Sequence, residues 1–454
     1  MSTNLPPALA VGALYDSFLQ NALKQFFARA TFESEAILSA SSDGRLSIEP
    51  SDDPCALMVR WFGSRYTLRV PERRPFTRHE TRFARAIGSV LAARYRAILN
   101  PRMMVERGEL FRGAIEDRYV GAFLDEASYG SSSGQPRADR IASAIEVLRV
   151  AALSSYENRP ISTGVLVLGS DDNPLAPGVR PAGGHHYTQA LTSVKSFFRL
   201  VDGLRTLFLV AKDGTLLDIV DIDDFAGKTV GVRGPSAPCS AMYQPHARAT
   251  LDGGHVCLVL SPSHEIKVFA EGAQVLAYRH ANWALLDLHR KYELWEAAVG
   301  EPSLARCLFN SALELADARE GALFVVLRDP AASVSSLVAD ADRLDTGAEA
   351  GLAAAPTRRD LLYLIAGRTV TNLEPTVLAA LASLDGAMVT DRDGHLISVG
   401  AILRHPYTAA MKAEAIVEGA RTTAAMTASF FGPVLKVSED GGITFFDGTK
   451  VWDI

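Results

Sequence analysis

The alternation of apolar and polar positions divides the chain into three stretches. The first, residues 1–105, opens on an amphipathic helix pattern from Leu9 to Arg29 and continues with two strand-like runs, Cys55 to Trp61 and Tyr66 to Val70. Thr77 to Leu99 predicts a helix: Phe83, Ile87, Val90 and Leu91 share one face, and Thr77 with Glu80 forms a capping-box pattern. The second stretch, residues 106–289, begins with helical patterns over Glu106–Ala127 and Asp139–Tyr156, separated by a polar run from Ser128 to Gln135. It then turns strand-rich. Gly164 to Leu168 reads as a buried strand, and Leu207–Ala211 and Leu216–Ile222 flank the turn Lys212-Asp213-Gly214-Thr215. His255–Leu260, Glu265–Ala270 and Gln274–Arg279 predict a meander, and Trp283–Leu294 a helix into the third stretch.

The third stretch, residues 290–454, is compact in its signals. Gly321 to Leu327 is an apolar run, and Leu384–Thr390 and His395–Leu403 predict a hairpin about Asp391-Arg392-Asp393-Gly394. Ala413–Glu418 favours helix, Gly419 interrupts it, and Arg421–Phe430 resumes it. Gly432–Val437 reads as a strand with a polar end, Ser438 to Gly442, and Ile443–Phe446 and Thr449–Trp452 flank Asp447-Gly448, a hairpin signal. The fold class predicted is multidomain α/β and α+β: a small α+β unit, a strand-rich α+β unit and a C-terminal α/β unit.

Composition narrows the classes. The net charge of −6 gives no basic footprint for nucleic acid or an anionic membrane. No apolar run is long enough for a membrane span, and the N-terminus lacks the basic region of a signal peptide. Cys55, Cys239, Cys257 and Cys307 are widely spaced and form no CxxC pair, which points to reduced thiols and a cytoplasmic location.

The candidate chemistry lies in the last seventy residues or so. Asp385 sits near a hairpin strand start beside Gly386 and Ala387, small residues that let a ligand approach; Asp there suits Mg²⁺ or Mn²⁺, and equally suits a turn that bonds its own backbone. Gly419, Arg421, Thr422 and Thr423 open a helix, whose unpaired N–H groups and positive dipole end bind anions. The alternative for those residues is ordinary capping with Arg421 solvated. Ser438 and Glu439 end a strand, where Glu439 suits a metal or a proton, or remains a solvated turn carboxylate.

Taken in order, these segments resemble the diadenylate cyclase family, whose pattern is Asp-Gly-Ala, then a Gly-Thr-Arg-His-Arg-type helix opening, then a Val-Ser-Glu-type strand end. The resemblance covers residues 290–454. It implies a mixed β-sheet flanked by helices, with Gly321–Leu327 as the first buried strand and Val399–Leu403, including Ile402 and Leu403, against the adenine. It implies ATP as substrate, Mg²⁺ or Mn²⁺ held by Asp385 and Glu439, and Arg421, Thr422 and Thr423 on the phosphates. It also implies a homo-oligomer with catalytic domains face to face. One departure is that Arg421-Thr422-Thr423 stands where the family has Arg-His-Arg, so a neutral hydroxyl replaces a charged donor. A cyclase-like domain that only binds ATP or a cyclic dinucleotide, and an enzyme making another dinucleotide, are the alternatives this leaves open. Residues 106–289 resemble the sensor domains found ahead of such cyclases. The strand followed by Phe76-Thr77-Arg78-His79-Glu80 resembles the end of a GAF domain.

A sensor ligand would find polar candidates in His185, His186, Tyr187, Lys195, Arg199, His246, Arg248 and His255. Three other matches lack their context. Gly130-Ser131-Ser132-Ser133-Gly134 follows no strand, so it is no nucleophile elbow. Gly227-Lys228-Thr229 has Ile222 where a phosphate loop needs glycine. His246, His255 and His264 recur at a spacing that keeps no constant face.

Overall fold

The computed structural model describes residues 7–27, 30–36, 46–70, 74–126, 129, 139–156, 159–169, 184–194, 196–229, 238–344, 363–404 and 419–454. The GxSxG-like segment 130–134, Lys195 and the helical pattern at 413–418 lie outside these residues. The protein is a mixed α/β, multidomain chain whose contacts divide it into two compact units: residues 1–233 with 245–286, and residues 234–244 with 287–454. No helix among the described residues is long and apolar enough to cross a membrane.

The first unit opens with α1 (Pro7–Phe26) and an antiparallel sheet of β1 (Thr31–Ala36), β2 (Ser47–Pro50), β3 (Ala56–Trp61) and β4 (Ser64–Arg69), in the order β1-β4-β3-β2. Helix α2 (Arg78–Leu99) starts where Thr77 accepts from the Glu80 amide (3.1 Å) and Glu80 accepts from the Thr77 amide (2.9 Å). That reciprocal box satisfies two of the donors a helix start leaves unpaired. Phe83, Ile87, Val90 and Leu91 are fully buried by α2's inner face.

Helices α3 (Pro101–Glu106), α4 (Ile115–Leu124) and α5 (Arg140–Ala152) follow. One hydrophobic core runs without a break from Tyr15 through Phe83 and Val120 to Leu258 and Trp283, so residues before and after 105 share it. Within it Asp117, 2% exposed, accepts from Arg149 (2.7 Å) and from the Trp283 indole (2.8 Å). A carboxylate this buried needs donors, and deleting Arg149 would leave its charge without a cation.

After the short pair β5 (Ser155–Tyr156) and β6 (Arg159–Pro160) comes a sheet of β7 (Thr163–Val167), β8 (Thr206–Val210), β9 (Leu216–Asp221), β10 (Val256–Leu260), β11 (Ile266–Ala270), β12 (Ala273–Arg279) and β13 (Asn282–Leu285). Its order is β13-β12-β11-β10-β7-β8-β9, with only β7 and β8 parallel. Helices α6 (Ile222–Thr229) and α7 (Gln244–Ala249) lie between β9 and β10. The helix expected from Trp283 begins later. Residues 282–285 pair with β12, because Trp283 is held in the core by Asp117 and against Tyr278.

The second unit holds α8 (Leu288–Val299), α9 (Pro302–Ala318), β14 (Ala322–Val326), α10 (Pro330–Leu337), α11 (Pro375–Ala382), β15 (Ala387–Thr390), β16 (Leu396–Ala401), α12 (Ala420–Ser429), β17 (Val434–Val437), β18 (Ile443–Asp447) and β19 (Thr449–Asp453). The sheet order is β16-β15-β14-β17-β18-β19; β14 and β15 are parallel and every other pair is antiparallel. Every residue of β14 is buried, as an unbroken apolar strand must be when helices cover both faces. Leu323 and Val325 meet Ala425 and Ala428 of α12 in one cluster. Elsewhere in the unit Trp295, Phe309, Phe445 and Trp452 pack edge to face or tilted.

Candidate functional site

The site forms where β14 and β15 begin and β17 ends. Gly386 leads into β15 with φ +111°, a backbone conformation that L side chains rarely adopt. A Cβ there would lie 2.4 Å from the carbonyl carbon of Gly400, so the β15 and β16 backbones approach as closely as they do only because position 386 is glycine. This contact sets Asp385 at the strand entrance with its side chain fully in solvent, while Ala387 behind it is buried against Ala401. Ile402 follows Ala401 and is 80% exposed, an open apolar side chain at the same edge; Leu403 is buried in the core.

Helix α12 starts at Gly419 without a side-chain cap. Thr422 N–H and Thr423 N–H donate back to the Gly419 carbonyl at 2.9 and 3.2 Å. The Thr422 hydroxyl does not cap the helix; it accepts from the Lys436 ammonium on β17 at 2.8 Å. Thr427 Oγ1 donates to the Thr423 carbonyl (2.9 Å). Arg421 reaches across the strand ends: its Nη1 donates to Glu439 Oε1 (3.3 Å), and its Nη2 lies 3.9 Å from Asp385 Oδ1. Gly321, just before β14, makes this path open, since a Cβ there would lie 2.0 Å from Arg421 Nη1.

Ser438 and Glu439 follow β17 in a tight turn in which Ser438 N–H donates to Gly442 O (2.8 Å) and Gly441 N–H to Ser438 O (2.9 Å). Glu439 is exposed and Ser438 half-buried. Asp385, Arg421 and Glu439 therefore meet, and Thr422 and Lys436 adjoin them through the first turn of α12. The result is two solvent-facing carboxylates about one guanidinium, with a second cation at a helix start. Exposed pairs of this kind contribute at most about 1 kcal/mol to folding, so the cluster is not a stability device. Its carboxylate oxygens are hard donors of the kind that Mg²⁺ and Mn²⁺ take, and its cations beside a helix start suit phosphate oxygens. The residues present thus fit the expected metal and nucleotide.

In sequence Lys436 is one residue of a strand, not a candidate ligand. Its signal was a lone cation inside the apolar run Pro433-Val434-Leu435-Lys436-Val437.

A second group, Asp391, Asp393 and His395, brings ligand-type atoms within 4.8 Å of one another, at the opposite end of β15. Asp391 is already engaged there, accepting from the His395 amide (2.8 Å) and pairing with its Nδ1 (2.9 Å), as a hairpin-turn aspartate does.

In the first unit, the sensor candidates have unlike surroundings. His185, His186, Arg199 and Arg248 are exposed, and Tyr187 is buried against Phe197 and Phe208. His246 is fully buried with Nε2 3.0 Å from the Gly203 carbonyl, and burial depresses its pKa to about 4. His255 Nδ1 accepts from the Gly169 amide (3.0 Å); burial, then the charge of Arg140, lowers its pKa.

No protein-family model matches the chain, and no curated protein matches it. Among solved structures it is similar to a hypothetical membrane-spanning protein from Bacillus cereus, at 20% identity over 36% of this chain and 70% of that one, with a TM-score of 0.25. It is also similar to a double mutant of DacA from Staphylococcus aureus, at 22% identity over 34% of this chain and 89% of that one, with a TM-score of 0.21. Likenesses this loose carry no weight for fold identity or activity.

Proposed function

We propose that the second unit is a nucleotidyltransferase of the diadenylate cyclase type, condensing two ATP into cyclic di-AMP and two pyrophosphates. The observation that supports this reading is the meeting of Asp385, Arg421 and Glu439 beside the start of α12, with Lys436 on Thr422. Each 3′-hydroxyl attacks the α-phosphate of the other nucleotide. In each transfer one P–O bond forms and one breaks, the 3′-hydroxyl gives its proton to solvent, and pyrophosphate carries away the electron pair. Such a reaction asks for positioning and charge stabilisation above all.

Arg421 and Lys436 draw the phosphates to the N–H groups of α12, and Thr422 and Thr423 add hydroxyl donors. Lys436 supplies a charged donor in a region where the Arg-Thr-Thr opening has only neutral ones beside Arg421. Exposed Ile402 offers an apolar surface for a base. Asp385 and Glu439 would hold Mg²⁺ or Mn²⁺, and the bound ion would neutralise charge on the α-phosphate and leaving group. Arg421 in its observed place has further guanidinium N–H groups to offer phosphate oxygens, and each carboxylate has more lone pairs than its contact with Arg421 takes up. Two ATP must face each other, so the active form is a homo-oligomer with two such units opposed. The first unit serves as the regulatory, sensor part.

The test is incubation of the full chain with ATP and Mg²⁺ or Mn²⁺, followed by mass spectrometry of the nucleotides. Cyclic di-AMP is expected from the wild type. Asp385→Asn should abolish it with the melting temperature unchanged, because the side chain is fully exposed. A different cyclic or linear product redirects the assignment. ATP binding without any product at several protein concentrations leaves the binding module that the Arg-Thr-Thr opening also accommodates.

A further inference from the structure

The two large sheets repeat one another. Strands β9-β8-β7-β10-β11-β12 of the first unit and β16-β15-β14-β17-β18-β19 of the second have the same order, and every neighbouring pair has the same sense. The registers agree except for an extra irregularity between Ala387 and Val389, which has no counterpart between Leu207 and Leu209. Val165, Leu166 and Val167 pair with Phe208, Leu209 and Val210, as Phe324, Val325 and Val326 pair with Met388, Val389 and Thr390. Leu258 lies opposite Val165 and Val268, as Leu435 lies opposite Phe324 and Phe445. Irregularities recur at matching places: between Leu209/Val210 and Val389/Thr390, and between Val268/Phe269 and Phe445/Phe446.

The turns match as well. Gly214 N–H donates to Ala211 O in the hairpin Ala211-Lys212-Asp213-Gly214, as Gly394 N–H donates to Asp391 O in Asp391-Arg392-Asp393-Gly394, and both glycines have positive φ. After β10, Ser261 N–H donates to Glu265 O and His264 N–H to Ser261 O; after β17, Ser438 and Gly441 make the same two bonds to Gly442 and Ser438. His264 and Gly441 share the left-handed conformation at φ 61° and 86°. A slip of one residue in any pair would turn every side chain to the other face, so agreement across six strands is not a general consequence of sheet packing.

The copies differ where the candidate site lies. Counted back from the paired Phe208 and Met388, Arg205 stands in the place of Asp385. After β10, Pro262 follows Ser261 where Glu439 follows Ser438, and Val259 holds the register position of Lys436. The helix before β10 opens Gln244-Pro245, where the helix before β17 opens Ala420-Arg421. Ser162 stands in place of Gly321, and its hydroxyl donates to the Asp202 carbonyl (2.6 Å) and the Leu260 carbonyl (3.2 Å), so a side chain with backbone partners stands where the second unit has a glycine beside Arg421. Gly203 is pressed onto the Thr163 backbone, where a Cβ would come within 2.6 Å, and its carbonyl meets buried His246.

We infer that the chain is an internal duplication in which the first unit's sheet is a chemically silent copy of the site-bearing fold. Among the described residues the first unit's copy lacks counterparts of Asp385, Arg421, Glu439 and Lys436, so one nucleotide site per chain is expected, in the second unit. The count of one rests on the nucleotide reading above; the repeat itself does not.

The test is calorimetric titration of the full chain with a non-hydrolysable ATP analogue in the presence of Mn²⁺. One equivalent per chain is expected, lost in Arg421→Ala and kept in Arg205→Ala, whose side chain is 76% exposed. Two equivalents, one of them surviving Arg421→Ala and disappearing in Arg205→Ala, would overturn the silent copy while sparing the nucleotide reading. No saturable binding by the wild type takes down the nucleotide reading itself, and the count of one with it.

Discussion

Replacing Gly321 by alanine isolates function from folding at the candidate site. The residue has no left-handed backbone to lose, since its φ is not among the positive ones. The added methyl carbon would lie 2.0 Å from Arg421 Nη1 and 2.7 Å from Cζ, so the guanidinium must leave. It gives up its 3.3 Å bond to Glu439 and its approach to Asp385. The guanidinium is the far end of a flexible side chain, and both carboxylates are exposed, so the folding cost is under about 1 kcal/mol. The matching position of the first unit already carries Ser162, which shows that the fold accepts a Cβ there. The functional cost is larger. A hydrogen bond to a charged group contributes about 1.5–3 kcal/mol, which is about tenfold to a little over a hundredfold in affinity. Calorimetric titration with the ATP analogue, beside a thermal melt of the same preparation, measures both. Gly321→Ala should weaken nucleotide binding by that factor with the melt nearly unmoved. Undiminished affinity would show that the placement of Arg421 is irrelevant to the ligand, and the phosphate assignment would fall.

Further outcomes follow from the same geometry. Lys436→Met keeps the methylene stem and removes the ammonium from Thr422, so nucleotide affinity should fall by about tenfold with little change in melting; an unchanged affinity refutes a phosphate role. Gly386→Ala should destabilise the second unit by more than about 1 kcal/mol, because φ is +111° and the new Cβ meets the Gly400 backbone; a melt equal to wild type would contradict that packing. His246 has a folded pKa depressed to about 4, so its stabilisation is full above pH 6.5 and is lost as pH falls towards 4, by about 3 kcal/mol in all. Asp139, raised by burial to about 6, contributes the opposite slope between 3.8 and 6, so the difference between wild type and His246→Gln is the quantity to read. That difference in denaturant stability should shrink as the solution is acidified, and a constant difference would mean that His246 does not titrate as its burial implies.

Much of this protein is written in local signals. The Thr77–Glu80 box, the apolar face of α2, the Asp213-Gly214, Asp393-Gly394 and Asp447-Gly448 turns, and the unbroken apolar run of β14 each follow from short-range chemistry, and each is present. Asp385, Arg421 and Glu439 were legible as candidates because Gly386, Gly419 and the polar strand end mark places where backbone and ligand meet. Other features were decided only by tertiary structure. Trp283 reads as the start of a helix, yet buried Asp117 on a distant helix draws it into a strand. Lys436 reads as one residue of a strand until the fold sets it on Thr422. The repeat of the two sheets is hidden for a plainer reason. Register is a relation between strands, kept by which face is buried, and many apolar sequences satisfy it equally. Local propensity and turn chemistry therefore determined the elements, and packing between distant residues decided which side chains meet at the candidate site.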